Sequence, residues 1–306
     1  MEKESAEEEN SKFPERAYKL LSWATRGRAV TVRDDQYRFP WLLDIVKSCQ
    51  KKRCRFRLID SGKLETFELE LLGKAGADIY TSDQVRPEVA ELELISKACR
   101  KSGAIVADLH HGPLDEETSK EELGSIPFSG LERLGRCGIY LHLTNKERER
   151  DFLRLGDVAE ACRRGGSWLV YYHHGPLEQV LGELGGAWIH ISDDSLKESP
   201  DKDLLIEILK AGSLRGTNLV LHLGTEWRAF ELRDFIKAGA VLLFKSALRD
   251  YRSPLKPLER EARRRKLDFR AFYLYPYFLS KNINMGKAKI SNQEGYKTSK
   301  KEGHRL

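Results

Sequence analysis

Short β-branched or aromatic runs alternate with amphipathic stretches along most of the chain, and few folds tolerate that rhythm. Nine runs read as strands: Ala29–Arg33, Arg55–Asp60, Asp78–Ser82, Ile105–His110, Ile139–Thr144, Trp168–His173, Trp188–Ser192, Leu219–Leu223 and Val241–Ser246. Between them, Trp41–Gln50, Glu88–Lys101, Asp151–Arg164 and Asp203–Leu214 carry apolar residues at helical spacing. A repeated βα rhythm with strongly apolar strands implies a parallel sheet covered by helices. The expected fold class is α/β, a (β/α)8 TIM-like barrel over residues 26–250. Two Rossmann-like lobes are the alternative.

The chain also resembles itself. Ser48 through Glu65 aligns without gaps on Ala161 through Glu178, and Gly76 through Asp83 matches Gly186 through Asp193. Lys97-Ala98 and Lys210-Ala211 restore the first offset. Each repeat carries four βα units, so an internal half-barrel duplication is expected.

Nine strands are one too many for an eight-stranded barrel, and the stretch from Asn218 to Leu248 decides which is extra. Leu219-Val-Leu-His-Leu-Gly224-Thr225, a helix, and Lys237-Ala-Gly239-Ala-Val-Leu-Leu-Phe-Lys245-Ser246-Ala247-Leu248 follow one another there. This segment, about a tenth of the chain, resembles strands seven and eight of the phosphate-binding TIM barrels. The family's glycine before the final Ser-Ala is Lys245 here. The resemblance therefore implies a phosphate site in which a lysine supplies charge where the family uses backbone. Val241–Ser246 becomes the eighth barrel strand, and Ala29–Arg33 an N-terminal extension or plug.

Composition sets the surroundings. With 40% hydrophobic residues among 306, a sizeable core is affordable, and wholesale disorder is excluded. No apolar run approaches the roughly 18 residues of a membrane helix, and Met1–Asn10 is acidic rather than signal-like. A cytoplasmic protein without a membrane partner is the expectation. Residues 1–25 read as a flexible acidic N-terminus. Residues 251–306 hold 15 Lys and Arg against 5 Asp and Glu, while the whole chain is only +6. That basic, partly disordered extension, with Arg263-Arg264-Arg265-Lys266 followed by aromatics, could hold nucleic acid. A solvated helix face is the simpler reading. The five cysteines (Cys49, Cys54, Cys99, Cys137 and Cys162) form no C-x-x-C pair, so they read as reduced structural thiols.

The chemistry-bearing residues gather late in the strands. Seven of the eight histidines fall there: His110, His111, His142, His173, His174, His190 and His222. Parallel α/β folds build their sites at the carboxyl ends of strands, and imidazole can exchange protons at neutral pH or bind a metal. Leu109-His110-His111-Gly112-Pro113-Leu114 and Tyr172-His173-His174-Gly175-Pro176-Leu177 are near copies. In each, one histidine should face the barrel interior and its neighbour the outer layer or the loop. Asp108 shares the parity of His110. The competing reading is a turn motif whose histidines bond loop backbone. Asp60, Asp83, Asp193, Asp194 and Glu226 also lie at strand ends, where Ser82-Asp83 and Ser192-Asp193 could equally cap helices.

Together these residues suggest an enzyme acting on a small anionic or phosphorylated metabolite, by proton transfer as in a lyase, aldolase or isomerase. His110 and His173 are the acid/base candidates, with Asp60, Asp83 or Asp193 orienting them and Lys245 neutralising the substrate. His111, His174, His142, His190, His222, Gly224, Thr225, Glu226 and Ser246 would line the substrate. The sequence names no cofactor outright. A mixed His/Asp/Glu set would also suit Zn2+, Mn2+ or Fe2+ in a metal-dependent hydrolase, although H-E-x-x-H is absent. A non-catalytic barrel that binds nucleic acid or a protein through its tail is the third reading. No Walker loop, G-x-G-x-x-G or G-x-S-x-G is present, which speaks against nucleotide-triphosphate and serine-hydrolase chemistry.

Overall fold

All nine expected strands form, and a tenth joins them in one sheet. The computed structural model describes residues 15–115, 125–146, 148–198, 201–223, 229–244 and 269–271. The strands are β1 (Val30–Arg33), β2 (Phe56–Ile59), β3 (Ala77–Ser82), β4 (Val106–Leu109), β5 (Tyr140–Thr144), β6 (Leu169–His173), β7 (Trp188–Ile191), β8 (Asn218–Leu223), β9 (Val241–Phe244) and β10 (Phe269–Ala271). Their order across the sheet is their order along the chain, and every neighbouring pair is parallel. Right-handed crossovers in a sheet wound this way put all the helices on one face. The result is a TIM-like α/β fold.

Two expectations about the start of the chain are corrected. Ala29–Arg33 is neither an extension nor a plug. Its residues pair in register with β2, from Val30 opposite Phe56 to Arg33 opposite Ile59. Val30 and Val32 are buried in the main core, and strand pairing is what holds them there. With β10 added beside β9, the eight-strand count does not hold. The ordered body also begins earlier than residue 26. Helix α1 (Glu15–Thr25) buries Ala17, Leu20 and Ala24, an i, i+3, i+7 stripe, on the sheet side.

The remaining helices are α2 (Phe39–Lys51), α3 (Thr66–Lys74), α4 (Val89–Ser102), α5 (Phe128–Arg136), α6 (Phe152–Gly165), α7 (Asp193–Glu198), α8 (Lys202–Leu214) and α9 (Ala229–Ala238). Local chemistry sets several starts. Pro40 sits in the first turn of α2, Glu65 and Glu68 form a capping box on α3, and the Asp201 carboxylate accepts from Asp203 N and Leu204 N at α8. No helix among the described residues is long and apolar enough to cross a membrane.

The sheet has two unlike faces. Phe56, Leu58, Ile79, Leu141, Ile189 and Leu221 share one parity and merge with Leu42, Ile45, Leu92, Leu131, Leu155 and Ile208 of the helices into one core. Residues of the other parity, including Ala107, Leu109, Val170, Tyr172 and Val220, are buried but lie outside that core. They form the inner face.

The duplicated segments occupy matching elements: α2 and α6, β2 and β6, β3 and β7, α4 and α8. A second likeness lies in how neighbouring helices meet. A Cβ on Gly73 of α3 would lie 2.6 Å from Cys99 Sγ of α4. One on Gly135 of α5 would lie 2.9 Å from Cys162 N and 3.1 Å from its Sγ on α6. Two successive helix pairs, α3–α4 and α5–α6, thus meet through a glycine–cysteine contact. Burial pushes the thiols of Cys99 and Cys162 up to about 12, which makes them packing groups rather than nucleophiles. Overpacking costs about 1–3 kcal/mol, and Gly73→Ala is expected to lose that much in urea denaturation. Gly73→Ala/Cys99→Ala should lose less than the two single losses combined. Strict additivity would contradict the contact.

Candidate functional site

Period-two alternation divides the histidines into two groups. His110 continues the parity of Val106 and Asp108, and His173 that of Leu169 and Tyr171, so both face the helices. Both are buried. His110 Nε2 lies 3.2 Å from the Pro113 carbonyl oxygen, and His173 Nε2 2.7 Å from that of Pro176. A carbonyl can only accept, so in both turns Nε2 carries the proton. The first histidine of each His-His-Gly-Pro copy therefore braces its own turn. Burial lowers the pKa of His173 and also that of His174.

The strand-end carboxylates belong to the same outer layer, each stitching one loop to the next. Asp34 accepts from Ser61 N at 2.9 Å and from Leu64 N at 3.3 Å. Asp60 accepts from Gly62 N, from Thr81 Oγ1 at 2.9 Å, and from Arg86 Nε at 2.6 Å. Asp83 accepts from His111 N at 2.8 Å and Gly112 N at 3.0 Å, and its Oδ2 lies 2.9 Å from His110 Nδ1. Burial would raise Asp83, but His110 and the two backbone N–H groups outweigh it and the pKa falls. Asn145 plays the same part for β6, accepting from His174 N and donating to His174 O, both at 2.7 Å. Two buried arginines complete the layer. Arg86 donates to Leu64 O, and Arg150 donates to the carbonyls of His110, His111, Gly112 and Thr144.

One corner of this layer is incompletely satisfied. Both Asp108 carboxyl oxygens, Asp83 Oδ1 and Ser125 Oγ are buried without a hydrogen-bond partner among the described residues. Burial first, and the Asp83 charge second, push Asp108 well above the usual carboxylate range, toward the neutral acid.

The second group of histidines lies on the inner face. His142 on β5, His190 on β7 and His222 on β8 share the parity of Tyr172 on β6. Together they make a continuous row across four strands. His142 Nδ1 is 2.9 Å from the Tyr172 hydroxyl, the Tyr172 and His190 rings are 4.8 Å apart, and His190 Nδ1 is 2.8 Å from His222 Nε2. Two ring nitrogens that close can hold only one proton between them. Burial lowers His142 to about 4, and burial together with His222 and His142 takes His190 well below its ordinary value. Both residues nonetheless keep part of their surface exposed. Partly exposed polar side chains packed against one another on one sheet face make this row the candidate ligand surface.

Thus the seven imidazoles do not meet as one set. His142, His190 and His222 come together, whereas His110 and His173 lie in the outer layer, with His111 and His174 in the turns that follow. The Ser192 hydroxyl accepts from Ser195 N, which makes it the cap of α7, and Asp193 opens that helix. Gly224, Thr225, Glu226, Lys245 and Ser246 lie outside the described residues, as do 1–14, Glu259–Lys266, the aromatic run 273–278 and His304. Among the described residues, no group of three or more His, Cys, Asp or Glu is arranged to hold a metal ion. Sequence reasoning missed Tyr172, Arg86, Arg150, Asp34 and Asn145. Only Tyr172 left a signal, sharing its face with the histidines of flanking strands.

No protein-family model matches the chain, and no curated protein matches it. Among solved structures, the 3-dehydroquinate dehydratase of Aquifex aeolicus VF5 is 12% identical over 71% of this chain and 87% of that one, with a TM-score of 0.32. The deoxyribose phosphate aldolase of Aeropyrum pernix is 12% identical over 81% and 97%, with a TM-score of 0.29. A mutant tryptophan synthase α-subunit of Pyrococcus furiosus is 11% identical over 77% and 94%, with a TM-score of 0.31. Likeness at this level says nothing about a reaction.

Proposed function

We propose that the inner-face row is the acid/base centre of an enzyme that moves a proton beside a carbonyl in a small anionic metabolite, as lyases, aldolases and isomerases do. The His190–His222 couple carries this reading. A proton taken from the substrate carbon at His190 Nε2 lets the Nδ1 proton pass to His222 Nε2, and the imidazolium so formed is the counter-charge of the enolate left on the substrate; Tyr172 offers His142 a second donor–acceptor pair. His110, His173, Asp60 and Asp83 serve by holding the loops at the strand ends, in place of the direct roles their positions suggested. The resemblance of residues 218–248 to phosphate-binding barrels supports a substrate that carries an anionic group.

General acid/base groups contribute about 10²–10⁴-fold. In D2O, the protein should exchange deuterium into the carbon beside the carbonyl of at least one phosphorylated or carboxylated ketone or aldehyde. His190→Gln should slow that exchange at least about 100-fold while leaving the circular dichroism spectrum unchanged. Undiminished exchange in the folded variant, or no exchange by the unaltered protein across such a panel, would contradict the proposal.

A further inference from the structure

The inner face is divided electrically along its width, and this division bears on what it binds. Over β5–β8 it presents Tyr140, His142, Tyr172, Trp188, His190 and Asn218, with no formally charged side chain among them. His142 and His190 add none, being held neutral at ordinary pH. All but Tyr172 keep some exposed surface. Over β1–β3 the same face carries Arg33, Arg57 and Asp78. Both donor arms of Arg33 are spent on Asp35, at 3.1 and 2.7 Å. Asp78 is paired with Arg55 at 3.1 Å. Arg57 is hydrogen-bonded to the Tyr80 hydroxyl and shares the Asp78 charge with Arg55, so that half holds more positive than negative charge about Asp78.

Physical chemistry narrows the occupant. A charged group set against the β5–β8 wall would be desolvated without a counter-charge, which is costly. Neutral imidazole, phenol and carboxamide each donate and accept, so the groups they satisfy best are ones that do both. Hydroxyls are such groups, whereas a carbonyl or carboxylate only accepts. The aromatic rings between them offer apolar faces to the C–H groups of a hydroxylated carbon skeleton. Resting on the reaction centre proposed above, we infer that the substrate is a small polyhydroxylated compound with one anionic group. Its hydroxylated body lies on the β5–β8 wall and its anion lies toward Arg57.

The imidazole nitrogens of His142, His190 and His222 report the test directly by NMR. The probes are three- to six-carbon sugar phosphates, the same sugars without phosphate, and unhydroxylated dicarboxylates of matching length. At least one sugar phosphate should shift these signals and bind about tenfold more tightly than its parent sugar. Arg57→Gln should erase that tenfold preference while the parent sugar still binds. Dicarboxylates binding as tightly as the best sugar phosphate would overturn the polyol assignment and leave the acid/base centre standing. So would a phosphate preference that survives Arg57→Gln. If no probe of any class shifts the three histidines, the acid/base centre itself is wrong.

Discussion

Arg86→Met is expected to cost about 3–5 kcal/mol of folding stability, the usual penalty for stranding one member of a buried ion pair. Asp60 is fully buried and Arg86 nearly so, with Nε and Oδ2 2.6 Å apart. Without the guanidinium, Asp60 keeps Thr81 Oγ1 and Gly62 N as donors but loses its counter-charge. Arg86→Met/Asp60→Asn removes the stranded charge and should cost less than Arg86→Met alone. Urea denaturation of the three proteins checks both statements. A loss below about 1 kcal/mol in the single variant would place the pair among exposed salt bridges.

The second large effect concerns Asp108. A folded-state pKa raised above the unfolded one means stability that is complete in acid and is lost as pH climbs toward the raised value. One such group changes stability by up to about 1.4 kcal/mol per pH unit across that window. Asp108→Asn keeps the shape of the neutral acid and cannot ionise. The variant should therefore match the parent in acid and become progressively more stable than it as pH rises above the ordinary carboxylate range. Asp83 works in the opposite sense, because its lowered pKa gives stability that is lost as pH falls through the folded value. Stability curves from pH 3 to 9 separate the two. Parallel curves for parent and variant would show that Asp108 ionises freely in the fold.

The strands were legible because each is a short apolar run between turn residues, and all nine formed close to their expected bounds. Their sidedness was not. In β4, Val106, Ala107, Asp108 and Leu109 are all buried, as are all five residues of β6. Alternation tells which residues share a face but not which face meets the helices, since both are covered. That ambiguity hid the fact that His110 and His173 lie in the outer layer while His142, His190 and His222 share the inner face. The copied His-His-Gly-Pro turn was readable as a repeat, but only geometry showed its first imidazole bonding its own proline carbonyl. Arg86 and Arg150 left no trace, because a lone arginine in a loop looks alike whether it is exposed or, like Arg150, clamping four carbonyls. The half-barrel offset gave no sign of the glycine–cysteine contact that α3–α4 and α5–α6 share.

The inner-face row as a desolvated site is the claim on which the functional reading turns. An imidazole titration followed by nitrogen NMR on the unliganded protein tests it most directly. The structure predicts that His142 stays neutral down to about pH 4, with His190 also titrating far below the ordinary range. Both histidines titrating near 6.5, as free imidazole does, would mean an open, hydrated surface and would contradict the account.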